Sequence, residues 1–461
     1  MTQPGEAFLE AAAKKAFDKN HREIINYNIT CYDRAVKKGL TQYSNLTLAR
    51  RRAASIKHRV IEDLENHLKE FEGRFTANGG KVIWAVDADQ ARQAVIGILE
   101  SNSVRKVVKS KSMVTEEIGL NEFLEKNGIE VLETDLGEFI VQISKEKPYH
   151  IVTPAMHKSA ADIAGLFHKK YNLSPSASPE EVTVFVRQLL REKFLQAGAG
   201  ITGANFLIAE DGAIALTENE GNGLLSMSLP KIHIVLAGIE KVIPAAEDLD
   251  LFWPLLASHG TGQNLTAYNS LVFGPRHRSE GDGPEQMFVI LLDNGRSNVL
   301  AQIPVRKALS CIRCGACLNA CPVYRNIGGH AYGTVYQGPI GSVIVPHLQE
   351  FEHFQHLSFA STLCGKCTEV CPVNIDLHRL LIHNRYLSKK NGVKPKIENW
   401  AMKAYRIVMG NRRYLDYIKP ALKNKFLRIA LAQHWGKHRE IPQVAAKTFG
   451  KLWLDKNKTR M

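Results

Sequence analysis

Seven of the eight cysteines lie within 61 positions, in two strings that fix much of what the surrounding chain can be. The first is Cys311-Ile-Arg-Cys314-Gly-Ala-Cys317-Leu-Asn-Ala-Cys321-Pro322. The second, 43 positions after Cys321, is Cys364-Gly-Lys-Cys367-Thr-Glu-Val-Cys371-Pro372. Two-residue gaps let three thiolates converge on one face of a metal centre, and the longer gap before Cys-Pro sends the fourth thiolate to a neighbouring centre. This is the iron–sulfur pattern of bacterial ferredoxins. Zinc prefers two separated CxxC pairs around one ion, whereas here four cysteines fall within eleven residues and end in Cys-Pro. A disulfide framework suits a small secreted domain rather than a chain of 461 residues.

The interleaving predicts two clusters. Cys311, Cys314, Cys317 and Cys371 hold cluster 1, and Cys321, Cys364 and Cys367 hold cluster 2. The position three before Cys364, where a fourth ligand belongs, is Ser361. Cluster 2 is then either a [3Fe-4S] centre or a [4Fe-4S] centre whose last iron is held by Ser361, water, substrate or a partner's side chain. An open iron is a Lewis acid, so the gap admits substrate chemistry as well as electron transfer. Between the strings, the glycine- and tyrosine-rich stretch from Tyr324 to Gly341, with His330, reads either as a loop that approaches a small anion or as packing that shields the clusters.

Elsewhere the periodicity is that of an ordinary soluble fold, with 44% hydrophobic and 23% charged residues. Ile56, Val60, Leu64, Leu68 and Phe71 recur at helical spacing and place helices over residues 1–75. Cys31, without a partner nearby, reads as a small buried hydrophobe. From Lys81 strands alternate with helices: β-rich runs at 81–86, 104–108 and 129–133 enclose helices capped by Asp87 and Ser112. Such alternation predicts a mostly parallel sheet covered on both faces. Helices follow at about 157–170 and 178–198, then a hairpin at 205–216 turning at Asp211-Gly212, and strands at 231–237, 269–273 and 287–292. The expected parts are a helical region at 1–75, an α/β domain at 76–300, a dicluster domain at 301–390 and a basic helical extension at 391–461.

Two places in the α/β domain have the chemistry of a small-molecule site. Lys109-Ser-Lys-Ser112 lies where a strand feeds a helix N-terminus, a natural position for a carboxylate or phosphate. Asn205, Glu218 and Asn222 bracket the hairpin with amides and carboxylates. Turn chemistry accounts for the same residues equally well.

The formal charge of +14 is unevenly placed. Leu381–Met461 holds 20 lysines and arginines against 4 acidic residues, so the rest of the chain, up to Leu380, is close to neutral. A basic tail suits an anionic membrane surface, an acidic protein partner or nucleic acid, or is simply a solvated helical face. No recognised nucleic-acid motif accompanies the charge, and Trp400 and Tyr405 fit a helix core. Ile397, Trp400, Ala401, Tyr405 and Val408 mark one amphipathic helix there, and Leu422, Phe426, Ile429 and Ala430 another. No uninterrupted apolar run approaches the length that spans a bilayer, about 20 residues. Met1-Thr-Gln-Pro-Gly-Glu6 is not an export signal. The expected location is the cytoplasm.

Taken together, the segment Gly200-Ile-Thr-Gly-Ala-Asn-Phe-Leu-Ile-Ala-Glu-Asp-Gly212, the two cysteine strings with three cysteines in the second, and the basic extension resemble the lactate utilisation protein B family. The resemblance covers nearly the whole chain. It implies a sugar-isomerase/CoA-transferase-like α/β domain of the LUD type, an α-helical ferredoxin-type domain with two [4Fe-4S] clusters, and helical extensions at both ends. It also implies a part in oxidising L-lactate to pyruvate beside two companions, a cysteine-rich iron–sulfur subunit and a second LUD-type subunit. In that system this chain would be the electron-transfer subunit rather than the catalytic one. A second reading makes the α/β domain an acyl- or CoA-transferring enzyme, or one that binds a small molecule, with clusters that regulate it. Fold alone does not decide between them.

Overall fold

The computed structural model describes residues 3–391, 396–431 and 440–458, which form two compact units, Met1–Leu387 and Ser388–Met461. Among the described residues no helix is long and apolar enough to cross a membrane.

Four helices open the first unit: α1 (Gln3–Ala16), α2 (Lys19–Gly39), α3 (Leu46–Glu62) and α4 (Leu64–Ala77). Ten strands follow: β1 (Lys81–Ala85), β2 (Lys106–Lys109), β3 (Glu130–Glu133), β4 (Ala199–Thr202), β5 (Phe206–Ile208), β6 (Ala213–Glu218), β7 (Ile232–Gly238), β8 (Val242–Ile243), β9 (Tyr268–Val272) and β10 (Gln286–Leu292). Six of them form one sheet in the order β1-β10-β7-β4-β2-β3, and every pairing in it is parallel. The smaller sheet runs β8-β5-β6-β9, with β6 antiparallel to both its neighbours.

Successive side chains of a strand point to opposite faces, and β10 buries both sets. Phe288, Ile290 and Leu292 meet Ala91, Val95 and Leu99, whereas Met287, Val289 and Leu291 meet Leu68, Phe71 and Phe75 of α4. The periodic residues Val60, Leu64, Leu68 and Phe71 thus cover one face of the parallel sheet. Each such side chain contributes about 1.5–3 kcal/mol by leaving water. Asp87 caps Ala88–Ser101 through Gln90 N, and Ser112 caps Met113–Glu117 through Thr115 N.

Two strands escape the sequence pattern. Ala199-Gly-Ile-Thr202 has little β-branched or aromatic character, yet β4 sits between β2 and β7. Gly200 is needed there, since a Cβ would lie 1.6 Å from the Ser226 carbonyl oxygen. The two-residue β8 is too short to leave a period. Cys31 also departs from expectation. α2 buries His21, Ile25 and Ile29, and Cys31, two positions further round the helix, is exposed.

Helices lie within and between the cysteine strings, Ala316–Asn319, Tyr324–Ile327, Gly338–Leu348 and Lys366–Glu369, followed by Leu377–Lys390. They share one apolar core with α2, α3 and the segment around Tyr149 and Ile151. Tyr324 donates to the Tyr149 carbonyl at 2.8 Å, Gln337 to that of Pro148 at 2.9 Å, and Arg50 of α3 to that of Cys371 at 2.7 Å. His330 takes part in this packing, with Nε2 2.7 Å from the Lys147 carbonyl oxygen and its ring against Tyr149 and His157.

In the second unit, helices Lys396–Gly410, Arg412–Tyr417, Pro420–Leu431 and Phe449–Lys458 cover the tail. Trp400, Tyr405, Leu422, Phe426 and Ile429 are exposed rather than folded into a core. The side chains of Ile397 and Ala430 lie outside the described residues.

Candidate functional site

The cysteine strings adopt the same backbone twice, 50 positions apart. Arg313 and Leu363 both have positive φ, +61° and +56°, and Gly315 and Gly365 follow at +78° and +82°. Each glycine opens a four-residue helix that carries the next cysteine, Cys317 or Cys367. The turns are closed in the same way: Arg313 N–H donates to Cys311 Sγ at 3.4 Å, and Leu363 N–H donates to Ser361 Oγ at 3.1 Å. Ser361 therefore stands in the second turn where Cys311 stands in the first.

Cys311, Cys314, Cys317 and Cys371 line one small void, with Ile151, Ile312, Ile340, Val373, Ile375 and Leu377 as an apolar shell. Burial pushes the Cys314 and Cys317 thiols well above their usual range, and Cys311 beside them adds to it. Such thiols ionise when a metal centre replaces the proton, and soft sulfur donors in a dry shell suit iron–sulfur ligation. Cys321, Cys364 and Cys367 form a second group. Burial raises Cys321 and Cys367, the latter to about 11, and Cys364 raises both further. Cys364 itself is exposed and held below its usual range by the Lys366 N–H and then the Thr362 hydroxyl.

Beside Cys311 lies a buried charge network that the sequence did not announce. Glu240, just past β7, accepts from Arg296 Nε at 2.6 Å and from Arg313 Nη2 at 3.2 Å. Arg296 also grips both oxygens of Glu117, at 2.9 and 2.8 Å, and Tyr336 donates to that carboxylate at 2.6 Å. Burial alone would raise Glu240, but Arg296 and then Arg313 outweigh it and hold the carboxyl at about 2. The Arg313 guanidinium stacks 4.5 Å over the Tyr336 ring. Lys57 of α3 donates to the carbonyls of Glu240 and Val242 at 2.6 and 3.1 Å, and burial lowers its ammonium to about 7.

A cavity of about 360 Å³ opens beside this network, at the C-terminal ends of the adjacent strands β2, β4 and β7. Ser110, Lys111 and Ser112 enter it after β2, Asn205 after β4, and Lys241 after β7; Glu218, Glu220, Asn222, Asp135, Arg313 and Cys314 also line it. Ser112, Asn205, Glu218 and Asn222 are thus brought to one cavity. Asn205 Oδ1 accepts from Thr217 N at 2.9 Å, Glu218 accepts from Gly223 N and Leu224 N at 2.6 and 2.7 Å, and Asn222, with its amide turned to satisfy its neighbours, donates to Glu218 at 2.6 Å and accepts from the Thr134 hydroxyl at 3.2 Å. Lys109 does not join them. Its ammonium is fully buried, 2.7 Å from Glu133 and 2.9 Å from Thr115, and serves the sheet interior. Lys241 and Arg313 were missed because only the fold brings the end of β7 to the CxxC turn.

Comparison with known proteins agrees with this architecture. Residues 68–292 match the LUD domain and residues 307–375 the 4Fe-4S dicluster domain. A chain of Bacillus pumilus named lactate utilization protein B is 41% identical over 413 residues, covering 87% of each chain. This chain belongs to the lactate utilization protein B family. The Bacillus subtilis protein of that name is 44% identical over 352 residues, covering 76% of this chain and 73% of its own. An Escherichia coli member named as an uncharacterized electron transport protein, YkgF, is 39% identical over 422 residues, covering 89% and 88%. Like the family's domain pair, this chain combines a LUD fold built on a parallel sheet with an iron–sulfur module.

Proposed function

We propose that this chain is the electron-transfer subunit of an L-lactate-oxidising system, working beside a cysteine-rich iron–sulfur subunit and a second LUD-type subunit. The observation that carries the reading is the division of seven cysteines into two adjacent groups. Relatives named for lactate utilization and for electron transport support it. Cys311, Cys314, Cys317 and Cys371 hold a [4Fe-4S] cluster. Cys321, Cys364 and Cys367 hold the second, with Ser361 as its fourth ligand, on the strength of the repeated turn. Bound clusters supply one-electron carriers that change charge with little movement of the chain.

The residues around them divide the work. The apolar shell keeps water from cluster 1, while N–H groups such as that of Ile375, 3.3 Å from Cys371 Sγ, offset negative charge on sulfur. Exposed Cys364 gives cluster 2 an edge that a partner's redox centre can approach. Anaerobic protein mixed with both companions should show reduced-cluster EPR signals when L-lactate is added. Clusters that stay oxidised with every partner present would defeat the proposal.

A further inference from the structure

The cavity at the ends of β2, β4 and β7 has the position and build of a ligand site. In open parallel sheets, ligands bind in the crevice outside the carboxyl ends of the strands. The volume, about 360 Å³, is within the usual range for small-molecule pockets. Its polar lining is incompletely used. Ser110 Oγ and Arg313 Nη1 are buried with no hydrogen-bond partner, and the Arg313 side chain is only 8% exposed. The Lys241 ammonium makes no hydrogen bond or ion pair among the described residues. Buried donors left unpaired cost free energy, so a lining that keeps two of them beside an uncommitted lysine is built for an acceptor.

The charges say which acceptor. Lys111, Lys241 and Arg313 are matched in number by Asp135, Glu218 and Glu220. The acids lie close to one another, since both Asp135 and Glu218 act on Glu220, while Lys241 and Arg313 share the neighbourhood of Glu240 and Cys311. A dianion would meet three carboxylates, whereas a monoanion can lie against the basic end. We infer that the cavity binds a small organic monocarboxylate, its carboxylate held by Lys241 and Arg313. Arg313, Cys314 and Ile151 line both this cavity and the void among the four cysteines, so the bound acid lies one residue layer from cluster 1. With the lactate reading above, on which this choice of probe rests, the first acids to test are L-lactate and pyruvate.

Full-length protein with its clusters reconstituted under anaerobic conditions should retain radiolabelled L-lactate or pyruvate in equilibrium dialysis. Neutral lactamide should bind at least about tenfold more weakly, as expected for losing hydrogen bonds to a charged group. Lys241→Gln should weaken acid binding by about the same factor with iron per chain unchanged, and the acid should perturb the EPR signal of one cluster in the wild type only. Should Lys241→Gln lose iron, Lys241→Met, neutral but closer to the lysine stem in length and apolarity, takes its place. No retention of any small carboxylate by iron-replete protein, equal retention by the wild type and the substituted chain, or preference for inorganic phosphate would overturn the site. Retention of acetate or glycolate but not of L-lactate or pyruvate, with the same sensitivity to Lys241, would keep the carboxylate site and remove the lactate assignment. Cluster reduction by L-lactate with the companions present, but no binding here, would do the reverse.

Discussion

Ser361 differs from Cys311 by one atom in an otherwise repeated turn, and the difference can be reversed. Ser361→Cys should leave the fold intact and give cluster 2 a fourth thiolate, seen as a change in its EPR and Mössbauer signatures with cluster 1 unaltered; unchanged spectra would mean the fourth iron site is filled from elsewhere. Glu240 is a second single-residue test, because it holds two buried guanidinium groups at once. Glu240→Gln leaves Arg296 and Arg313 short of a counter-charge and should lower unfolding stability by about 3–5 kcal/mol in denaturant titration. A third concerns pH. Burial lowers His21 and His157, each to about 4, so the folded chain keeps them neutral where the unfolded chain, near about 6.5, binds protons. Stability must therefore rise with pH between about 4 and 6.5 and be lost as pH falls through that window. His21→Gln and His157→Gln should each lose less in denaturant midpoint between pH 7 and pH 5 than the wild type does.

The paired turns make a comparison between elements. Gly315 and Gly365 both need the left-handed region, so alanine costs roughly 1–2 kcal/mol at either. At Gly315 a Cβ would also lie 3.0 Å from Val152 and 3.1 Å from His150, whereas at Gly365 it meets open space. Gly315→Ala should thus be the more damaging of the two, measured as iron retained per chain and as thermal midpoint. These turns were legible in the sequence because the CxxC spacing is local, and so were the strands with β-branched or aromatic runs, such as β1, β7 and β10. Glu240, Lys241, Arg296 and Arg313 were not, because their meeting depends on strand order, which no local period records. Lys109 shows the opposite failure: a lysine before a helix N-terminus looks like an anion site until Glu133 of the neighbouring strand claims it.

For the whole molecule, the basic unit Ser388–Met461 presents exposed Trp400, Tyr405, Phe426 and Trp453 among its lysines and arginines. Cationic helices with exposed aromatics suit anionic bilayer surfaces. Flotation with vesicles containing anionic lipid should carry the full chain and leave behind a chain ending at residue 390 that keeps its iron; equal flotation would exclude the tail as the anchor. The order β1-β10-β7 has a consequence for how the molecule is made. The strand that joins β1 to the rest of the parallel sheet is the last of the ten to be synthesised. Until Leu292 has left the ribosome, β1 and β7 each expose an unpaired apolar edge, of the kind that recruits chaperones or other nascent chains. On the ligand set proposed above, cysteine ligation comes later still, since Cys311 must wait for Cys371 at the far end of the cluster module. The parallel sheet therefore closes only once Leu292 is free of the ribosome, and iron uptake on the proposed ligands must follow the release of Cys371.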